Sequence, residues 1–482
     1  MNPLPPGAPD ASIAFASIAD LGRMLRARQL SSLELTKFYT KRLEEFGPRL
    51  NSVVTLMPER ALAEAAQADQ ELAAGTDRGP LHGIPYGAKD LFAAKGAPTT
   101  WGATIYRHQS FDFDATAIER LTAAGAVLLA KLAMIELAGG MGYNQADASF
   151  SGPCKTPWNL NYWSGGSSSG SGASVAAGLV PFALGSETDG SITNPSSYCG
   201  ISGLRPTYGR VSRFGAMTLC WTLDKVGPLC RSANDTATVL AAIGGFDPKD
   251  FTSARVMMTP PHAVQSARAV ATVQPKRWRI GTVSGAREKL QADVKRNFTK
   301  SLEVLNHVAD VVHLKLPAFP YEAMIAAVLA GEAASAFRAI IEDGRVQQLK
   351  DPAGRRGGYT YLTVSAVDYI DAMRQRAALR PAFEKLFENV DVLAAPTFST
   401  VALPVGVSFD KAYPGTNDGD LITACNLVGY PAIAVPNGFG LHDLPTSLML
   451  VGRPFSEHML AEVAAAYQER TPYHKVRPPI FS

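Results

Sequence analysis

Apolar positions recur at helical spacing through the N-terminal part of the chain and then shorten into buried runs. Ile18–Arg28 and Ser31–Phe46 read as two amphipathic helices, the second with Leu33, Phe38, Leu43 and Phe46 along one face. Ser31 followed three positions later by Glu34 is a capping box, which marks where that helix begins. The alanine-rich Pro58–Ala74 continues as a third helix. Beyond it, Leu81–Phe92 reads as a loop entering a short strand, and an apolar helix from Thr116 through Leu121 leads past Gly125 to a strand over Ala126–Lys131. Ile201–Arg231 is rich in turns and short strands. The pattern loosens between Phe251 and Lys276, which suggests an internal boundary. It resumes as a strand (Trp278–Val283), a helix (Leu290–Val308, with Val294, Phe298, Leu302 and Leu305 on one face) and a strand (Val311–Leu314). Lys350–Gly358 is charged and glycine-rich and reads as a loop at a mobile rim. Val390–Ala395 is a buried strand, Asn426–Pro436 and Ser447–Arg453 complete the body, and Glu457–Gln468 is a last helix. Alternating helices and strands of this kind predict a layered α/β architecture.

Composition narrows the class. With 482 residues, 46% hydrophobic and 18% charged, the chain can bury a large core. A formal net charge of +3 with no basic run argues against nucleic acid or another polyanion as partner. The five cysteines include no C-x-x-C pair, so neither zinc nor a disulfide framework is expected. Met1–Ala14 lacks the basic start and apolar stretch of a signal peptide, and the longest apolar run, Ala123–Met141, is interrupted by Lys131 and Glu136. These features predict a cytoplasmic protein with no membrane association.

The candidate chemistry lies in one run of small residues, Gly165–Gly172, and a second, Gly185–Ile192, joined by the uncharged Ala173–Leu184. Glycine lets backbone N–H groups approach another molecule, and serine supplies nucleophiles or proton relays. Gly166–Gly170 formally matches the G-x-S-x-G nucleophile elbow at Ser168, but Asn159–Gly165 makes a poor strand before it. No phosphate-binding, dinucleotide-binding or H-E-x-x-H motif occurs, and no histidine lies between Gly140 and Arg231. A serine hydrolase built here needs another base. Lys89, approached by small and apolar residues, is the candidate if burial keeps its amine neutral. The competing reading is a surface lysine paired with Asp90.

The spacing of these residues resembles the amidase signature family, serine amide hydrolases with a Ser–Ser–Lys triad. The matching positions are Gly83-Ile84-Pro85 with Lys89-Asp90, then Gly165-Gly166-Ser167-Ser168, then Gly185, Thr188 and Gly190-Ser191-Ile192. They continue through Pro195, Cys199-Gly200, Gly203-Leu204, Pro206–Ser212, Asp224 and Gly227-Pro228 to Asn426-Leu427, Gly429, Pro431–Ile433 and Leu450–Phe455. The resemblance implies the amidase-signature α/β fold, a central twisted mixed β-sheet sandwiched between α-helix layers with an N-terminal helical layer. It implies one domain over residues 1–482, with that layer at 1–75, the catalytic core at 76–250, a variable substrate-side region at 251–390 and a closing part at 391–482. Ser191 would be the nucleophile, Ser167 the bridging serine on a cis peptide bond, and Lys89 the base. The serines stand 24 positions apart, as in the family. The oxyanion hole would fall on the N–H groups of Thr188, Asp189, Gly190 and Ser191. Met141, Gly142, Tyr143 and Asn144 would form a pocket wall, and Trp221, which follows the signature region, is a further substrate-binding candidate. No metal or cofactor is implied.

Three positions depart from the family pattern: Glu187 replaces Asp, Asp189 replaces Gly, and Thr193 replaces Arg. The last change, with Glu187, suggests a rearranged ion pair behind the nucleophile. Asp189 would oppose an oxyanion if it pointed inward, so its side chain is expected to point away. The leading expectation is an amidase that forms an acyl-enzyme on a small-molecule amide. Carbamate (urethane) or aryl ester hydrolysis is the related option. The remaining alternatives are the glutaminase component of a tRNA-dependent amidotransferase (its A subunit) and a non-catalytic binding protein. Self-association, where it occurs, is expected as a homodimer.

Overall fold

A computed structural model describes residues 11–257, 277–284 and 289–481. Most of the loosened stretch expected as a boundary, residues 258–276, lies outside them. The helices at the N-terminus form as their periodicity predicts, over Ile18–Arg26, Ser32–Leu50 and Pro58–Ala73. Both halves of the capping box are made: Glu34 N–H donates to Ser31 Oγ, and Ser31 N–H donates to the Glu34 carboxylate.

Among the described residues, eleven strands form one sheet. They are β1 (Val53–Leu56), β2 (Pro85–Lys89), β3 (Val127–Leu132), β4 (Phe182–Glu187), β5 (Ser202–Arg205), β6 (Lys225–Cys230), β7 (Trp278–Ser284), β8 (Ala309–Lys315), β9 (Val392–Pro396), β10 (Ala432–Phe439) and β11 (Pro445–Val451). The order is β1-β3-β2-β4-β6-β5-β10-β11-β9-β7-β8. Two parallel patches, β3-β2-β4 and β9-β7-β8, are joined by an antiparallel middle, so the sheet is mixed. Strand β2 is buried throughout, as its lack of polar-apolar alternation requires of a strand covered on both faces. Its lysine is the exception to that apolar character.

The parallel pairing of β2 with β4 decides where the chemistry sits. Ala88 lies opposite Leu184, so Lys89 and the segment from Ser186 onward leave the sheet at the same edge. This is the carboxyl edge of parallel strands, the usual place for a site in an open α/β sheet. The serine-rich run enters from the side as helix Ser169–Ala176. A Cβ on Gly170 would stand 2.4 Å from both Ala133 N and Ser52 O, so only glycine lets this helix reach the end of β3.

Lys350–Gly358 differs from its expected form. Pro352–Tyr361 is a helix, capped by Asp351, whose carboxylate accepts the Ala353 N–H. Its three glycines are a packing device rather than a loop signal. A Cβ on Gly357 would meet Met141 O at 1.8 Å, and one on Gly354 would meet Gly142 O at 3.1 Å. Helices Tyr321–Ala336 and Ala366–Leu386, to which the sequence pattern above assigned no element, pack with Leu421–Val428 around a second core of Met324, Leu379, Phe383 and Tyr430. Among the described residues no helix is long and apolar enough to cross a membrane.

Candidate active site

The competing reading of Lys89, as a surface lysine paired with Asp90, does not hold. Asp90 is taken by Lys131, whose Nζ lies 2.8 Å from its carboxylate, and by the backbone and hydroxyl of Thr100. Both partners of that ion pair are buried. Lys89 is left inside the protein with hydroxyls for company. Its Nζ stands 2.7 Å from Ser167 Oγ and 2.9 Å from Ser186 Oγ, and no carboxylate pairs with it among the described residues. Burial therefore dominates its titration and brings the amine down to about 7, against the opposing pull of the Asp224 and Glu187 carboxylates.

Ser167 is fully buried, and the Gly166–Ser167 peptide bond is cis. Its neighbours fix the turn from both sides: Gly166 N–H donates to Asn194 Oδ1, and Ser168 N–H donates to the Ser191 carbonyl at 3.3 Å. Ser168, the elbow candidate, has its hydroxyl directed to the Ser186 carbonyl, and no strand precedes it. Ser191 keeps 7% of its surface exposed, and its hydroxyl makes no hydrogen bond among the described residues.

Between β4 and helix Thr193–Cys199 the chain makes a tight turn. Gly190 carries φ of +89°, a conformation in which a side chain would be strained, although a Cβ there would meet Phe398 and Ile422 only at ordinary contact distance, 3.4 and 3.7 Å. The N–H groups of Asp189, Gly190 and Ser191 make no hydrogen bond among the described residues. The next two are satisfied, since Ile192 and Thr193 N–H both donate to Glu187 Oε2 at 2.9 Å. Three unpaired donors beside one serine hydroxyl can receive an oxyanion.

Glu187 is the hub behind that turn. Its other oxygen pairs with Arg205 at 2.7 Å and accepts from Asn426 at 3.0 Å. Burial by itself would raise this carboxyl, but Arg205 and the surrounding donors hold it down to about 2. The ion pair anticipated from the Thr193 departure is thus made by Arg205, which reaches across from β5. Asp189 is half-buried and leans onto helix Leu421–Val428, where Asn426 and Thr423 donate to its two oxygens. Burial and the Glu187 charge raise it to about 6.

A cavity of about 390 Å³ opens beside Asp189, Gly190 and Asn194. Six rings line it (Tyr143, Trp163, Tyr198, Phe398, Phe409 and Tyr413), together with the carboxylates of Asp189, Asp410 and Asp418. No lysine or arginine lines it among the described residues. Of the five expected pocket residues, only Tyr143 stands on this wall. Met141 and Gly142 are consumed in packing against helix Pro352–Tyr361. Asn144 acts indirectly, its backbone held by Asp351 and its side chain donating to Asp410. Trp221 belongs to a separate cavity, with Trp101, Phe111, Phe113 and Phe337. The wall is completed instead by residues 398–418, which carry no motif and are brought in by the fold. Sequence reasoning also missed Ser186, Arg205 and Lys225. A lysine opening the uncharged strand Lys225–Cys230 was the available signal for the last of these.

The chain is similar to known proteins over nearly its whole length. A family model described as Amidase matches residues 34–461. The chain is 38% identical to the A subunit of the glutamyl-tRNA(Gln) amidotransferase of Acinetobacter baumannii, over 96% of this chain and 97% of that one. Among solved structures, the native peptide amidase of Stenotrophomonas maltophilia superposes with a TM-score of 0.84 at 30% identity, covering 98% of this chain and all of that one. The A subunit of the glutamyl-tRNA(Gln) amidotransferase of Thermotoga maritima gives 0.76 at 25% identity, with 96% of each chain covered.

Proposed function

The chain belongs to the amidase signature family, and from that premise we propose that it cleaves a C–N amide bond through an acyl-enzyme on Ser191. One observation carries the reading: a buried amine, about half neutral at pH 7, hydrogen-bonded to Ser167 next to a serine whose turn offers three N–H groups unpaired among the described residues. Ser191 Oγ attacks the carbonyl carbon and gives its proton to Ser167, which passes its own to Lys89. The oxygen of the tetrahedral adduct is held by the N–H groups of Asp189, Gly190 and Ser191. Such preorganised donors lower a barrier by roughly 3–4 kcal/mol each. As the C–N bond breaks, the proton returns through Ser167 to the departing nitrogen, and water then releases the acyl group by the reverse relay. The aromatic cavity favours a substrate with an apolar or aryl group. Carbamates and aryl esters are open to the same steps, and hydrolysis of an anilide, a carbamate and a p-nitrophenyl ester in one assay ranks the three.

A second reading has the sequence comparison behind it. Full-length similarity to amidotransferase A subunits supports a glutamine-using component of a larger assembly, more directly than it supports a stand-alone amidase. The same Ser191 chemistry would serve. The cavity supports it less, because glutamine brings a carboxylate and the described lining offers three carboxylates and no cation. Glutaminase activity, or co-purification with further subunits, would establish this alternative.

The test of the shared chemistry is covalent labelling by a fluorophosphonate. Label is expected on the wild type and on Ser196→Ala, whose buried hydroxyl donates to the Ile192 carbonyl, and is expected to vanish in Ser191→Ala. Labelling that survives in Ser191→Ala would refute the assignment, and a wild type that takes no label would favour the non-catalytic alternative.

A further inference from the structure

Lys225 is the second buried amine near the turn, and the relay does not use it. It opens β6 opposite Glu187 on β4 and is 2% exposed. Four ionisable groups from the surrounding elements act on it: Glu187 from β4, Arg205 from β5, Asp224 immediately before it, and Asp189 on the turn. None of the carboxylates pairs with it among the described residues, since Glu187 is engaged by Arg205 and Asp224 by Thr188 and two backbone N–H groups. Its single hydrogen bond there runs to the Thr188 carbonyl, at 3.3 Å.

That carbonyl is the other half of a peptide unit whose N–H belongs to Asp189. In a planar trans peptide the C=O and N–H point in opposite directions, so a group that holds one aims the other. The Thr188 hydroxyl is held as well, donating to Asp224 Oδ1 at 2.6 Å. Residue 188 is therefore clamped at its carbonyl and its side chain, and the Asp189 N–H that follows is left without a partner among the described residues. On the other side of the turn, Gly190 supplies no side chain to hold it in place.

We propose that Lys225 is a positioning residue for oxyanion binding: by holding the Thr188 carbonyl it aims the Asp189 N–H at the oxygen of the tetrahedral adduct on Ser191. This rests on the reading of Ser191 as nucleophile. The amine touches neither serine of the relay and is no part of proton transfer. Burial, assisted by Arg205, lowers Lys225 to about 7 while the three carboxylates oppose the fall, so a substantial fraction is charged at neutral pH.

The test uses the full chain with Lys225→Met and Lys225→Gln, so that one folded variant suffices. Two quantities are compared: the rate of fluorophosphonate labelling, and the affinity for an arylboronic acid, whose borate adduct on a serine carries an oxyanion. Against them is set KM for the best amide of the substrate panel, which reports the uncharged ground state. Misaiming one donor is expected to slow labelling and weaken the boronate by about 100-fold, the scale for loss of an oxyanion-hole donor, with KM unchanged within about threefold. The low-pH limb of labelling is expected to stay where Lys89 sets it. Wild-type labelling and boronate affinity in a folded variant would overturn the proposal. So would a loss shared equally by KM, or failure of both variants to fold, which would make Lys225 a structural cation. A wild type without label defeats the underlying reading instead.

Discussion

If Lys89 is the base, a negative charge placed beside it must move the pH at which Ser191 becomes reactive. Ser186 offers the place, because its Oγ lies 2.9 Å from the amine. An amine titrating at about 7 is half neutral at pH 7, whereas an exposed lysine there is neutral in about one molecule in 3,000. Ser186→Asp would set a carboxylate about 4 Å from Nζ, worth about 4 kcal/mol to the ammonium at an effective dielectric constant near 20. At about 1.4 kcal/mol per pKa unit, the amine rises by up to about three units. The sign follows from the role: a protonated amine cannot accept the relayed proton, so reactivity falls below its pKa. Wild-type labelling by a fluorophosphonate should rise with pH along a limb centred near 7. In Ser186→Asp the limb should move toward about 9–10, with labelling at pH 7 reduced about 100- to 1,000-fold and recovered at high pH. Ser186→Ala, which removes only a hydrogen bond, should keep its limb within about one pH unit of the wild type. A Ser186→Asp limb at the wild-type position, or a wild-type limb near 10, would show that Lys89 is not the base.

Two further outcomes follow from the charges behind the turn. Arg205→Met leaves Glu187 buried without its cation, and removing one partner of such a pair costs about 3–5 kcal/mol; a shift of the guanidinium unfolding midpoint worth less than about 1 kcal/mol would contradict the geometry. Asp189→Asn removes one negative charge from the cavity wall and should raise the preference for succinamate over butyramide about fivefold, the effect of about 1 kcal/mol of charge repulsion; an unchanged ratio of kcat/KM values would mean the carboxylate does not act on the substrate.

What was legible in the sequence was what short-range order encodes. The capping box at Ser31 and Glu34 is local and formed as written. Lys89, Ser167 and Ser191 carry ordered motifs, and the structure brings Lys89 to Ser167 and leaves Ser191 on a turn whose N–H groups have no partner among the described residues. Lys350–Gly358 was misread because glycine signals a loop in isolation, whereas here it serves close packing against Met141 and Gly142. Of the expected pocket residues only Tyr143 lines the cavity beside the turn, for the same kind of reason. Met141 and Trp221 are apolar residues near the right motifs, but which cavity a side chain faces depends on partners far along the chain.

The chain's own order of residues was enough to place it in its family and to single out Ser167, Ser191 and Lys89 as candidates, because each depends on residue type at a given spacing. Whether that lysine is neutral was decided by tertiary structure alone. Asp90, its neighbour in sequence, is drawn away by Lys131 on the adjacent strand, and Arg205 from β5 claims Glu187. An amine's charge is set by what surrounds it in space, and at Lys89 those surroundings are assembled from strands distant in sequence.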